Sequence, residues 1–496
     1  MADGEPSSAA ASSRGDGEAR PAGRRSLAAG AAGGLPPGAD EVDGSSRAVF
    51  VVLVAAVTAY SSMQSLVIPA LPQIQDALGT TTAATSWVVT ALLLSSVVAA
   101  PTLGRLGDLY GTRPTLLVAL GALVLGTVVC ATASSLPQLI LGRALHGIGA
   151  AVFPLSFAIV RRTMPAARAP WAYGLLSGML GVGGAIGVPL GGLIAAQASW
   201  PVVFWALLPV YLVVLVAAWR LVPHDPRRTG DAPRTDVLGG VLMAVGLVAL
   251  LVSVTEGEVW GWTSPGLVAG LVVAAVALTA WVRVELRRPA PMIDVRQLVR
   301  PTTWRAHAIA FAYGAGLYCS FALLPSYLQD DAGLALAPAS ATLMLVPFPL
   351  TMSAIGLATG RLVARRGPEA VLAAGSLLSI AGFLTLMATP SSTVVLLVAI
   401  GVLGLGIGAG FSVLPDLVTR EAHADDTGAV TGVNTVMRFL GGAICGQLAA
   451  VLVAHGGGHG FAAGFAVGLV MLLLAAALTA TIRRPARGGP GEPVPE

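Results

Sequence analysis

Two arginines stand inside long apolar stretches of this chain, Arg143 within residues 138–160 and Arg438 within residues 427–453. An arginine at the centre of a membrane-length apolar helix costs about 3 kcal/mol on insertion scales, so it faces a cavity or a partner and not hydrocarbon. Each has a polar neighbour at helical spacing. His146 follows Arg143 by three residues, and Asn434 precedes Arg438 by four, which puts each pair on one helix face. A guanidinium is a permanent cation with five donors, and an imidazole titrates near neutral pH. Each pair either bonds across helices or lines a polar interior. No Asp or Glu falls in the middle of an apolar stretch, so His146 is the best embedded group for carrying a proton, with His307 a poorer one.

The elements that position these residues follow from hydropathy. The chain has 496 residues, 55% hydrophobic and only 11% charged, with mean hydropathy +0.79. Soluble domains carry about 25% charged residues. Fourteen apolar stretches are each long enough to cross a bilayer: 48–70, 83–103, 114–133, 138–160, 170–195, 201–222, 236–255, 264–284, 304–326, 338–360, 369–388, 393–415, 427–453 and 460–482. The reading is an all-α integral membrane protein.

Charge gives the topology independently. Arginines fill alternate connections: Arg105 and Arg113 after span 2, Arg161, Arg162 and Arg168 after span 4, Arg220, Arg227, Arg228 and Arg234 around the 6–7 connection, and Arg283 through Arg305 around the 8–9 connection. Arg361, Arg365 and Arg366 follow span 10, Arg420 follows span 12, and Arg483, Arg484 and Arg487 follow span 14. The intervening connections carry only Asp76, Glu256, Glu258, Asp330 and Asp331 as charges. Short basic loops stay in the cytoplasm, so both termini are expected there, in a multi-pass protein of a bacterial cell membrane. The net charge of +4 is spread over these loops; it fixes topology and touches anionic lipid, and implies no nucleic-acid partner.

Several function classes are excluded. All 29 basic residues are arginine. Without lysine there is no Walker A phosphate loop and no Schiff-base nucleophile. Cys130, Cys319 and Cys445 are isolated within spans, with no metal-ligand spacing, and read as buried small side chains. No enzyme, cofactor or metal is expected. The glycine-spaced "GLGIGAG" at 404–410 sits inside an apolar span with no strand before it; it is a helix-packing face, not a nucleotide loop.

The spans group as six, two and six. The expected organisation is a disordered tail over 1–46, a six-helix bundle over 47–222, a linker with two inserted helices over 223–303, a second six-helix bundle over 304–484, and a tail over 485–496. A faint repeat supports it: "GRLGDLYGTRP" from Gly104 and "GRLVARRGPEA" from Gly360 both pair Gly-Arg-Leu with a later glycine, Gly111 or Gly367. Paired bundles related by repeats are a plan of secondary transporters.

Six segments carry a family resemblance, covering about residues 47–483. "GRLGDLYGTRP" at 104–114 lies after span 2, "RALHGIGAA" at 143–151 in span 4, and "GVGGAIGVPLGG" at 181–192 in span 5. "EGEVWGW" at 256–262 and "ELRRPAPMID" at 285–294 flank an inserted helix, and "NTVMRFLGGAICG" at 434–446 lies in span 13. In this the chain resembles the fourteen-helix drug:proton antiporter branch of the major facilitator superfamily. The resemblance implies the major facilitator fold and an efflux transporter that exports antibiotics or other amphipathic small molecules, working as a monomer by alternating access and proton antiport.

It also implies residue roles. Gly104, Asp108, Gly111 and Arg113 form a cytoplasmic latch between bundles, with Asp108 accepting from a helix N-terminus or from Arg113. Gly183, Gly187, Pro189, Gly191 and Gly192 form a helix-packing export motif. Arg143, His146, Asn434 and Arg438 are expected in the transport pathway, or as interhelical pairs. Met63, Gln64, Tyr313 and Tyr318 are candidates for lining it, with Met179, Phe311 and Met344.

The chain also departs from the family pattern. Leu109 and Thr112 replace usual basic residues, His146 a usual glutamine, and Met63 a usual acid. With arginines and no central carboxylate, a neutral or anionic amphipathic substrate is favoured over a cationic one. An uncoupled facilitator or uptake system and a non-transporting membrane sensor are the alternatives.

Overall fold

The computed structural model describes residues 44–165, 168–225, 236–289, 291–330, 333–388, 392–423, 426–456 and 459–482. The expected tails, most of the 223–235 linker with Arg227, Arg228 and Arg234, and also Asp331, Arg483, Arg484 and Arg487 fall wholly or largely outside these residues.

Among the described residues, fourteen helices are long and apolar enough to cross a membrane: α1 Ser46–Leu78, α2 Ala83–Tyr110, α3 Thr112–Ala131, α4 Leu136–Thr163, α5 Ala169–Gln197, α6 Pro201–Leu221 and α7 Val237–Thr255; then α8 Pro265–Arg287, α9 Pro301–Gln329, α10 Ser340–Arg366, α11 Pro368–Met387, α12 Thr393–Thr419, α13 Thr427–His455 and α14 Gly460–Thr481. No strand occurs among the described residues. A lipid interior leaves backbone polar groups no other partner than their own helix.

Several helices outrun their apolar stretches. The α2 helix continues to Tyr110 and α10 to Arg366, so Arg105, Asp108, Arg361, Arg365 and Arg366 are helical and not in loops. Hydropathy sees where lipid contact ends; the hydrogen-bond ladder runs on through polar turns. The 2–3 connection reduces to Gly111 at φ +111°, and the 10–11 connection to Gly367 at φ +80°. Only glycine enters such conformations readily. The two repeats thus share a one-residue turn.

Two apolar cores run along the chain. One gathers buried residues from Val49 to Val222, the other from Ala306 to Ile482. A third, smaller core joins Val97 of α2, Met243, Leu247 and Leu251 of α7, Met292 and Ile293 beyond α8, and Val433, Val436 and Leu440 of α13. The α7 helix therefore lies across the α2–α13 seam. By contrast α8 shows Val268, Val272, Val273 and Val276 outward, a surface suited to lipid. The foot of this pair is pinned by Glu285, which accepts from Trp281 Nε1 (3.0 Å) and from the Ile293 amide (3.4 Å).

The glycine-proline stretch of α5 packs on α1. Ideal Cβ atoms on Gly183, Gly187 and Gly191 fall 2.3 Å from Ser61 Cβ, 2.5 Å from Ser62 O and 2.1 Å from Leu66 O. These are backbone-to-backbone contacts within one core, the close approach that small residues permit in membranes. Gly192 is different: its Cβ would meet nothing nearer than Pro69 Cβ at 4.0 Å, so the expected packing role does not extend to it. Pro189 lies within the continuous α5 helix. Gly187→Ala is expected to lower the yield of folded, transport-competent protein several-fold, and Gly192→Ala to leave it unchanged. Size-exclusion profiles and transport assays of the two variants check this; equal behaviour contradicts the packing.

Candidate functional site

The first and second cores meet at the arginine-rich end. There α2 and α13 touch backbone to backbone: an ideal Cβ on Gly104 lies 2.3 Å from Gly428 O, and one on Gly428 lies 2.4 Å from Gly104 O. This approach brings Asp108 to the start of α13, where its carboxylate accepts from the amides of Gly428 (3.0 Å) and Ala429 (2.8 Å). Asp426, the residue that precedes α13, makes no side-chain cap. Asp108 supplies that cap from the other side of the seam, satisfying orphan donors at the positive end of the helix dipole.

Further bonds cross the same seam. Arg105 pairs with Asp426 (2.5 Å) and donates to Pro291 O (3.2 Å). Gln297 donates to the other Asp426 oxygen (2.8 Å). Arg161 donates to Thr427 Oγ1 (2.8 Å) and Ala422 O (3.1 Å). Arg113 is not at this junction: it bonds Trp219 O in the last turn of α6 and His224 beyond it, and its amide bonds Asp225. The one-residue turn at Gly111 directs it away from Asp108. The seam contacts of Arg161, Gln297 and Asp426 escaped the sequence reading, because nothing in their local sequence marks a partner more than a hundred residues distant.

A second seam lies between α5 and α10. A Cβ on Gly356 would fall 2.7 Å from Gly178 Cα, and one on Gly360 would fall 2.5 Å from Trp171 Cβ.

Between these seams sits a pocket of about 700 Å³, counted with its opening. Its walls come from both cores: Ser61, Gln64 and Ser65 of α1, Phe153 of α4, Leu180, Gly181 and Gly184 of α5, Leu317, Tyr318 and Phe321 of α9, Phe348, Pro349 and Met352 of α10, Phe411 of α12, and Thr435, Arg438 and Phe439 of α13. Arg438 is the one charged residue in this lining. It is 8% exposed. Its Nη2 donates to Thr435 Oγ1 (3.1 Å), and its guanidinium carbon lies 5.0 Å from the Phe411 ring centre and 6.0 Å from that of Phe153. Ring faces attract a cation, but neither ring neutralises it. The site is an aromatic chamber with one positive charge and no carboxylate among its lining residues.

Of the expected pathway residues, Gln64, Tyr318 and Arg438 line this pocket and five do not. Met63 is 1% exposed within the first core. Tyr313 is buried between helices, with its hydroxyl at Ser376 Oγ (3.0 Å) and Leu372 O (3.3 Å). Asn434 is buried on α13 outside the lining. Arg143 donates from Nε to Val88 O (3.0 Å) and sits near Tyr60, Tyr211 and Cys130. His146 contacts Thr127 Oγ1 (2.9 Å) and stacks on Phe204 at 6.1 Å. Both belong to the interior of the first core, behind the pocket wall. The outermost link of this polar interior reaches the pocket, where Gln64 Nε2 donates to Tyr60 OH (2.9 Å), itself 3.2 Å from Ser96 Oγ.

Phe153, Phe348 and Phe411 were missed. An aromatic inside an apolar span is usually packing, and only the tertiary fold shows that these converge. Met179, Phe311 and Met344 are also absent from the lining.

Comparison with known proteins decides the family. The sequence profile of the Major Facilitator Superfamily matches residues 52–446. The chain belongs to the major facilitator superfamily. That superfamily is one of membrane transporters and not of enzymes. An uncharacterised superfamily transporter of Mycobacterium tuberculosis is 32% identical over 398 residues, 79% of this chain but 57% of that protein, so the match spans little more than half the length of that relative. The multidrug resistance protein Stp of the same species is 30% identical over 390 residues, 78% of this chain and 72% of that one. The tetracenomycin C resistance and export protein of Streptomyces glaucescens is 28% identical over 400 residues, 79% and 72% of the two chains. Among solved structures, the human organic anion transporter MFSD10 (TETRAN) superposes with TM-score 0.63 at 19% identity, covering 87% of this chain and 99% of its own. The proton:xylose symporter XylE superposes with TM-score 0.61 at 14% identity, covering 86% and 94%. These two share the major facilitator fold.

Proposed function

We propose that this superfamily member is an efflux transporter, exporting amphipathic small molecules, antibiotics among them, by alternating access in exchange for protons. The carrying observation is the pocket between the two cores, aromatic in its walls and holding Arg438 as its one charge. Apolar walls with a few placed polar groups suit an amphipathic ligand, and an unneutralised guanidinium favours a neutral or anionic one. The names of the multidrug resistance and tetracenomycin relatives support export. The arginine-rich loops support a cytoplasmic position, in a bacterial cell, for that end and for both termini. The seams at Gly104–Gly428 and Gly178–Gly356 then close the cytoplasmic side, and alternating access consists of breaking them. The protein works as a monomer.

A second reading has one observation in its favour. No carboxylate lies in the middle of any described membrane helix; Asp76, Asp108, Glu285, Glu369 and Asp416 all sit within a few turns of helix ends. An uncoupled facilitator needs none. Proteoliposomes carrying a pH-sensitive dye separate the readings: antiport gives a substrate-triggered proton signal, and a facilitator gives substrate flux without one. The burial of His146 in the first core, away from the pocket lining, argues against it as the proton carrier. His146→Gln is expected to keep the proton signal within about twofold of the parent; its loss would restore the residue to that role.

A further inference from the structure

Three cavities of this molecule form a chain. The first is the central pocket. The second, of about 360 Å³ counted with its opening, is narrow; it lies between α2, α7, α9 and α13 and is lined by Leu94, Val97, Leu251, Tyr318, Phe439 and Ala443 among others. It shares Tyr318 and Phe439 with the pocket. The third is an apolar groove of about 980 Å³, counted with its opening, on the outer side of α2, α4 and α7; its walls include Trp87, Ala91, Leu94, Ile140, Ile148 and Val248. It shares Leu94 with the second cavity.

Each junction is made of side chains and not of backbone. Leu94 is half-buried and packs on the small core that α7 forms with α2 and α13. Tyr318 and Phe439 stand edge to face at 6.5 Å. Rotamer changes of Leu94, Tyr318 and Phe439 are the motions that would join the three spaces, and side-chain flips are fast. In the middle cavity the hydroxyls of Thr90 and Thr255 donate to Ser86 O (3.3 Å) and Leu251 O (2.9 Å) of their own helices.

We propose that the groove, Leu94 and the Tyr318–Phe439 pair form a side passage between the bilayer and the central pocket, admitting membrane-dissolved amphipaths by their apolar part. The inference rests on the reading of the central pocket as the substrate site. It gives the inserted helix α7 a role in transport, because Val248, Leu251 and Thr255 are the wall of the passage opposite α2. Membranes concentrate amphipathic molecules, and a passage within the apolar layer spares such a molecule a return to water. Once inside, its polar end reaches Arg438, on the same helix as Phe439.

Cysteine labelling in vesicles tests the passage without requiring transport. Ala443→Cys places a thiol on the wall of the middle cavity, in a chain whose three natural cysteines are buried. The full-length variant is exposed to N-phenylmaleimide, which dissolves in the bilayer, or to a sulfonated maleimide, which does not. The expected result is labelling by N-phenylmaleimide in excess of the parent chain, slowed at least tenfold when Leu94→Trp fills the junction. Val248→Trp, which fills the outer groove instead, is expected to act likewise and serves where Leu94→Trp does not fold. The sulfonated reagent is expected to show no such dependence. Labelling within twofold in both tryptophan variants overturns the passage. So does absence of N-phenylmaleimide labelling, which would make the groove a lipid-filled cleft that stops at Leu94. The pocket reading is judged apart, by the transport of Arg438 variants, so either can fail alone.

Discussion

Arg438→Gln is expected to lower transport of an anionic aromatic substrate by about 10- to 100-fold, and that of a neutral analogue of similar size by less than threefold. A hydrogen bond to a charged group contributes about 1.5–3 kcal/mol, and each 1.4 kcal/mol is tenfold in binding. The loss falls on the charged substrate alone because Phe153, Phe348 and Phe411 remain to hold the apolar part. Stability should move the other way. In the resting protein the Arg438 side chain is buried with one described hydrogen-bond partner, Thr435, and removing a poorly compensated buried charge is often neutral or stabilising. A raised or unchanged melting temperature together with selective loss of anion transport separates a binding role from a structural one. Arg438→Lys should recover only part of the activity. A lysine keeps the charge but loses the planar fork and its stacking between rings. Transport initial rates for a charged and neutral pair in the three proteins, with melting temperatures beside them, check the prediction.

Gly428→Ala should have the larger effect on conformation. Its added carbon would lie 2.4 Å from Gly104 O, and the obstruction is backbone that cannot rotate aside. Overpacking of this kind costs about 1–3 kcal/mol. It acts only where α2 and α13 touch, so it disfavours the state closed at the arginine-rich end while leaving the separated state free. A bias of that size shifts the two populations by about 5- to 150-fold. Spin labels at Tyr110 on α2 and Arg365 on α10 report the outcome: the variant should show a longer mean distance and slower turnover. Asp108→Asn should shift the same distance less. It weakens the cap on Gly428 and Ala429 but introduces no collision. An unchanged distance distribution in Gly428→Ala would mean that the seam is not the closing element.

What sequence could reveal follows from what the bilayer enforces. Fourteen apolar stretches and alternating arginines were legible because hydrocarbon tolerates neither charge nor open backbone, wherever the helices pack. Helix ends were less legible. Gly104–Tyr110 is polar enough to read as a loop, yet the ladder continues through it to the turn at Gly111. Helix rotation was not legible at all. Met63 and Gln64 are neighbours in the chain, and one enters the first core while the other lines the pocket. Arg143 and Arg438 look alike in sequence, since both are cations in apolar helices at the same insertion cost. One is turned toward Val88 O inside its own bundle, the other between two phenylalanines at the junction of both. Which face a helix presents is decided by all its neighbours together. Asp108 was readable as the acceptor for a helix N-terminus, but that this helix is α13, 320 residues onward in the chain, was not.

The most direct test of proton-coupled export through the Arg438 pocket is proton movement in proteoliposomes on addition of an anionic aromatic amphipath, recorded for the parent protein and for Arg438→Gln. The expected result is substrate flux with an opposing proton flux in the parent, and loss of both in the variant. Substrate flux with no proton signal in the parent would contradict antiport, and a signal that survives Arg438→Gln undiminished would contradict the pocket.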